Sequence, residues 1–181
     1  MSLCKSECSV TIDCKSAEQA HSLLVSVGPE FSFNNIVPLS EEKHNSLLDD
    51  LLGKMTKCKN VQPELEALAS FYQSAWGCRA VPEYGCLGAD SRDPCRLVGG
   101  FTSTSDSAIG TKGDWEPIPL AVLSALSRKF PASTITVDVS LLYACEDAPS
   151  LRYVIRGGEV VGRFRRNQGE SDQTPVRECA A

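Results

Sequence analysis

Cysteine thiols are reactive side chains that occur in high number in this sequence. The chain has nine cysteines and two histidines, the residue types that most often bind zinc or supply a nucleophile and its base. No CxxC pair occurs, and neither His21 nor His44 lies close to two cysteines. The best candidates for a structural metal are Cys78, Cys86 and Cys95. Because their spacing fits no known ligand set, the sequence predicts no metal site and no bound cofactor.

The odd number of cysteines, without an export signal, favours reduced thiols over a disulfide framework. Catalysis would require a base close to a nucleophile. A cysteine paired with His44 is one such alternative, but no local motif supports it. Asp90 and Asp93 lie in a turn-rich stretch, where aspartate accepts hydrogen bonds from the backbone. We therefore expect a protein that is not an enzyme.

Composition limits the classes of partner. The chain has 181 residues, of which 42% are hydrophobic and 23% charged, and this is enough for one domain with an ordinary core. No apolar run is long enough to span a bilayer, and the charged start MSLCKSE lacks the apolar stretch of a secretory signal, so a cytoplasmic protein is predicted. A net charge of −5 disfavours non-specific attraction to nucleic acid and allows an acidic surface that meets a basic partner protein.

Local patterns predict the elements of the first half. CSVTID alternates apolar and polar residues, as a strand with one buried face does. Ser16 and Gln19 form a capping box at the start of a helix that Gly28 ends. Two further helices are predicted from Ser40 to Leu52, with Leu47, Leu48, Leu51 and Leu52 buried and Gly53 as the stop, and from Pro63 to Trp76.

Residues 77–100 follow neither the helical nor the strand period, and we expect a long loop there. Loops of this length are often functional, although a variable surface excursion is the alternative. The residues singled out as a possible contact surface in this loop are Tyr84, Asp90, Arg92 and Asp93.

The sequence pattern of the second half predicts a strand, a helix, a second strand and a hairpin. GFTSTSD is a short strand, Val122, Leu123 and Leu126 mark a helix that Pro131 ends, and STITVDVSL is the clearest strand in the chain. Gly157 suits the two-residue turn of a C-terminal hairpin.

Arginines are concentrated on that hairpin. Pairing outward from its turn places Ile155 opposite Val160 on the core side and Arg152 opposite Arg163 on the other side. Like charges directly across a ladder are destabilising, which favours a functional reason for the pair. The candidate residues for binding phosphates or a partner are Arg152, Arg156, Arg163 and Arg165.

The order of elements predicts an α+β fold, a ferredoxin-like split βαβ antiparallel sheet with two packing helices, plus an inserted helical segment and a C-terminal β-hairpin. We expect a single domain over 1–166, an insertion at about 40–100 and a disordered tail over 167–181.

Three stretches, FSFNNIVPL, SAWG and WEPIPLAVLSALSRKFP, resemble in order the hallmark segments of the Api-like ferredoxin-like domain family. These are uncharacterised proteins common on bacterial plasmids, phages and genomic islands. The resemblance extends from the first strand to about the final hairpin, except for residues 78–97. It implies the fold and a mobile-element setting, and no catalytic residues.

Two function classes follow. The first is a non-catalytic protein-interaction module of a mobile genetic element. The more specific version of this hypothesis is an inhibitor of a host restriction or CRISPR system. The more general version is an accessory protein whose partner is unknown. The alternative is a nucleic-acid-binding protein that uses the arginines of the hairpin. The outward positions of the central strands offer no aromatic side chain for bases to stack on, which favours the first class.

Overall fold

The chain folds as an α+β protein. The computed structural model describes residues 3–28, 30–57, 60–78, 81–82, 85–106, 118–141, 150–166 and 174–175. The strands are β1 (Leu3–Asp13), β2 (Val81–Pro82), β3 (Cys86–Ala89), β4 (Arg96–Asp106), β5 (Thr134–Leu141), β6 (Ser150–Arg156), β7 (Glu159–Arg166) and β8 (Thr174–Pro175). The helices within these ranges are α1 (Ala17–Val27), α2 (Phe33–Ile36), α3 (Glu41–Met55), α4 (Gln62–Trp76) and α5 (Leu120–Lys129).

One open antiparallel sheet contains the strands, in the order β2-β4-β1-β5-β6-β7-β8. β3 also pairs with β4, on the edge that β1 does not occupy, and follows β2 along that edge. β1 is therefore central, between β4 and β5. β8 lies within the segment that we expected to be disordered, and the rest of that segment is outside the described residues.

Alternating side chains place the core on one face of this sheet. Val10, Ile12, Ile135 and Val137 are each buried, and they face the apolar side of α1 and α5. The strand alternation predicted for β1 and β5 is confirmed. The opposite face carries the polar partners of the same strands, Thr11, Asp13, Thr134, Thr136 and Asp138, and each of them is half-buried.

Predicted caps fix the direction in which α1 leaves β1. Ser16 accepts a hydrogen bond from the backbone N–H of Gln19 at 3.2 Å. Gln19 in turn accepts from the N–H of Lys15 at 2.8 Å, one residue earlier than in a standard capping box. Gly28 ends the helix with φ 82°, a conformation that glycine adopts without strain.

The prediction of a long loop over 77–100 was wrong. The stretch contains β2, β3 and the start of an eleven-residue β4. Its glycines resemble turn residues in the sequence, but Gly99 and Gly100 lie where strands approach closely. A Cβ at Gly99 would lie 1.9 Å from the carbonyl oxygen of Cys86, and one at Gly100 would lie 2.7 Å from that of Cys8. These glycines permit strand pairing rather than breaking it.

The end of α3 was also predicted incorrectly. The helix continues through Gly53 to Met55, because the N–H of Thr56 still donates to the carbonyl of Leu52 at 3.1 Å. Gly53 has a helical conformation here, and nothing in the structure requires the chain to turn at that residue. Leu52, which was expected to be buried, is 56% exposed.

Candidate functional site

Ion pairs and hydroxyl contacts connect neighbouring strands on the polar face of the sheet, opposite the core, which we call the open face. Arg152 donates from Nε to Oδ1 of Asp138 at 2.6 Å and from Nη2 to Oδ2 at 3.1 Å. Arg96 makes a similar 2.7 Å contact with Asp13, and Arg156 donates to the hydroxyl of Thr134 at 3.0 Å. The hydrogen bond with Asp138 raises the pKa of Arg152. The Arg152 and Arg96 side chains on this face are therefore already paired with carboxylates.

The predicted opposition of Arg152 and Arg163 was wrong. A β-bulge after the Ile155–Val160 pair shifts the register by one residue, so that Arg163 lies opposite Tyr153 and Arg152 opposite Phe164. A one-residue shift moves every following side chain to the other face. The Arg163 guanidinium lies 5.3 Å from the centre of the buried Tyr153 ring, a cation–π distance.

The bulge therefore divides the predicted arginine cluster. Arg152 and Arg156 lie on the open face, whereas Arg163 is on the helix-covered face. Arg165 pairs with Leu151 through its backbone, and its side chain is outside the described residues. Among the arginine side chains that the structure describes here, Arg152 has a carboxylate partner and Arg163 lies on the other face, so these two do not share a continuous basic surface.

The turn between β3 and β4 contains three of the other predicted site residues, Asp90, Arg92 and Asp93. A carboxylate oxygen of Asp90 accepts from the N–H of Arg92 at 2.9 Å, and one of Asp93 accepts from the N–H of Cys95 at 2.9 Å. Both aspartates thus hold the turn, as their residue type predicts. Arg92 is exposed, and Tyr84 lies outside the described residues.

A surface that the sequence interpretation missed lies on α3. This helix has no buried residue, and among the described elements its main packing partner is α4. His44 Nε2 lies 2.9 Å from the hydroxyl of Tyr72, and Leu47 and Leu51 are partly buried beside it. α4 itself is anchored in the core by Trp76. α3 therefore contributes less to the core than α4 does.

The apolar residues of α3 extend past the side that contacts α4. Leu48, Leu52 and Met55 follow helical spacing on the adjacent side, and Leu52 and Met55 are each 56% exposed. Glu41 begins the same row of residues, and the exposed Asp49 borders it. We call these five residues the α3 outer face.

Charge on α3 is distributed unequally between its two sides. Lys54 forms a salt bridge with Glu64 of α4, and the Lys43 ammonium group lies 5.4 Å from the centre of the Phe71 ring of α4. The hydrogen bond from Lys54 lowers the pKa of Glu64. Both lysines are thus turned towards α4, whereas the four acidic residues of the helix are exposed: Glu41, Glu42, Asp49 and Asp50. Two of these acidic residues, Glu41 and Asp49, lie in or next to the apolar row of the α3 outer face.

One sequence signal could have identified this surface. Residues 47–55 contain five large apolar side chains, more than a helix with a single neighbour can bury along one stripe. The sequence interpretation assigned all the leucines to the core, although the surplus at 52 and 55 indicates a second contact side.

The thiols fall into distinct environments. Cys8 and Cys78 are buried, and burial raises the pKa of Cys8 to about 12. Cys86 is exposed, whereas Cys14 and Cys95 are half-buried. Across the described ranges, no three histidine, cysteine or acidic side chains are grouped so that they could hold a metal ion.

Comparisons with known proteins identify no relative of this chain: no family model, no curated protein and no solved structure matches it. Among the described residues, no helix combines the length and the apolar character needed to cross a membrane. Support for a function therefore comes from the exposed side chains and charges of the chain itself.

Proposed function

We propose that this chain is a non-catalytic protein-interaction module that binds a basic amphipathic segment of its partner through the α3 outer face. The single observation that carries the proposal is the exposure of Leu52 and Met55 on a helix whose four acidic side chains are exposed as well. Two large apolar side chains at one helical spacing give a partner something to bury.

Charge defines the kind of partner. With Lys43 and Lys54 turned towards α4, the exposed acidic side chains of α3 meet solvent, so lysine or arginine side chains beside an apolar stripe are their complement. The chain's net charge of −5 favours the approach of such a partner. Basic amphipathic segments are common in proteins that handle nucleic acid, because those proteins must neutralise phosphates.

This partner class agrees with the setting implied by the sequence resemblance. We propose a mobile genetic element as the source and, as a narrower hypothesis, a counter-defence role against a host nucleic-acid-targeting protein. The nucleic-acid-binding alternative gains no support from the geometry, because Arg152 is paired with Asp138 and Arg163 lies on the other face.

We further propose a ferredoxin-like core within the larger sheet. The connection β1-α1-β3-β4-α5-β5 has the spatial order β3-β4-β1-β5, which supports a split βαβ plan. α2, α3 and α4 are then an insertion after α1, and β6 and β7 extend the β5 edge. In this plan α3 is an addition to the fold, as a recruited binding element would be.

A synthetic helical peptide of leucine and lysine tests the binding proposal. The double variant Leu52→Ser/Met55→Ser should weaken its binding at least tenfold in fluorescence anisotropy, because about 1.4 kcal/mol of lost apolar contact is a factor of ten in Kd. Leu48 is left unchanged, because it is half-buried at the boundary of this face and packs against the core cluster.

Two controls make this measurement specific. Val25→Ser removes a comparably exposed apolar residue from α1 and should leave the affinity unchanged. A peptide with glutamate in place of lysine should bind much less tightly. Equal weakening by Val25→Ser, or equal affinity for both peptides, would contradict the proposal.

The counter-defence hypothesis has its own readout. Bacteria with an active restriction or CRISPR system should accept a targeted plasmid more efficiently when they express this chain, and the Leu52→Ser/Met55→Ser variant should lose most of that protection. An unchanged transformation efficiency across several such systems would remove the counter-defence hypothesis. It would not affect the peptide-binding result.

A further inference from the structure

Two half-buried cysteines face each other at the end of the central strand pair. Cys14 follows β1 and Cys95 precedes β4, directly beyond the Asp13–Arg96 pair of the ladder. The N–H of Cys14 donates to the carbonyl of Cys95 at 2.9 Å, one position beyond the last pair of the ladder, whereas the N–H of Cys95 donates to Asp93 Oδ1. Sequence spacing gave no sign of this, because 81 positions separate the two residues.

Opposed residues of an antiparallel pair have Cα atoms about 4.5–5.5 Å apart and side chains on the same face. A disulfide requires a Cα separation of about 4.4–6.8 Å. The two thiols are also close enough to interact electrostatically: after burial and Asp13, the Cys95 thiol is a further cause of the raised pKa of Cys14. The backbone hydrogen bond between these opposed positions therefore brings the two residues into the range of separations that a disulfide spans.

We propose that Cys14 and Cys95 are a redox pair that closes to a disulfide when the chain meets a low-molecular-weight disulfide such as oxidised glutathione. The Cys95 thiolate attacks one glutathione sulfur, forming a mixed disulfide and releasing one glutathione thiolate. Cys14, deprotonated by solvent, then attacks the Cys95 sulfur and releases the second glutathione. Two protein thiols are oxidised, one glutathione disulfide is reduced, and two protons leave Cys14 and Cys95 for the two glutathiones.

Closure would affect one particular part of the fold. The bond would join the turn held by Asp90 and Asp93 to the end of β1, beside the Asp13–Arg96 ion pair. Oxidation would therefore fix the turn that carries Arg92 relative to the sheet. This inference does not depend on the α3 outer face, which lies on a different element.

The test is oxidation of the full chain with excess oxidised glutathione, followed by proteolysis without reductant and mass spectrometry. A peptide linked through Cys14 and Cys95 should dominate, and the melting temperature should rise by about 5–10 °C and return on reduction. Raising the pH should accelerate closure, since burial raises the pKa of Cys14 and limits its thiolate.

Matched variants distinguish this pair from general thiol chemistry. Cys95→Ser should abolish both the linked peptide and the melting shift, whereas Cys86→Ser, which removes an exposed thiol, should change neither. The proposal is overturned if Cys14 and Cys95 end as separate glutathione adducts, if either links to another cysteine in preference, or if Cys95→Ser retains the shift.

Discussion

Gly99→Ala will separate β3 from β4 and lower the free energy of unfolding by about 2–4 kcal/mol. A Cβ at position 99 would lie 1.9 Å from the carbonyl oxygen of Cys86 and 2.9 Å from Cα of Leu87. Both obstacles are backbone atoms of β3, which no side-chain rotation can move. The short strand must shift, and the buried Leu87 side chain then loses contact with the core.

Gly88→Ala is the matched control for this prediction. Gly88 lies in the same strand pair, opposite Val98, and has no heavy atom within 4 Å of an added Cβ. Its replacement should change stability by no more than about 0.5 kcal/mol. Urea unfolding followed by far-UV circular dichroism measures both variants. Equal stability of Gly99→Ala and Gly88→Ala would show that β3 does not approach β4 as closely as described.

Phe101→Ala should destabilise the fold by about 3–5 kcal/mol. Its buried ring lies edge-on to the rings of Phe31 and Phe33, with centroids 6.1 and 4.8 Å away. These contacts anchor the segment between α1 and α3 to β4. Phe31 has φ 41°, a left-handed conformation that an aromatic residue keeps only when its surroundings hold it.

The smaller variant Phe101→Leu tests whether packing volume or aromatic contact matters. It should cost only about 1–2 kcal/mol, because a leucine fills much of the space. Hydrogen exchange at the α2 amides should increase far more in Phe101→Ala than in Phe101→Leu. If Phe101→Ala loses less than about 1 kcal/mol, then the aromatic cluster does not contribute to stability as the packing implies.

Local pattern was sufficient where interactions within one helix or strand set its structure. Ser16 and Gln19 cap α1, the apolar stripe of α5 is buried, and β5 alternates as its sequence predicts. In each case the deciding interaction joins residues fewer than five positions apart, or depends only on which face is apolar. The α+β class and the positions of most helices followed from such signals.

Local pattern gave wrong predictions where contacts with a distant part of the chain set the structure. Gly99 and Gly100 resemble loop residues until Cys86 and Cys8 are placed against them. Arg152 and Arg163 appear to be a pair until a bulge shifts the register by one residue. Leu52 appears to be a core residue until the packing of α3 on α4 leaves it 56% exposed.

Hydrophobic period and capping act over a few residues, so local sequence predicts most of the helices and strands and which side of each is apolar. What those sides contact depends on how the elements pack together. Tertiary packing placed Cys14 opposite Cys95, turned Lys43 and Lys54 towards α4, and left Leu52 and Met55 exposed to solvent. Register and the number of neighbours depend on contacts between residues far apart in the chain, and the period of a single segment carries no information about them.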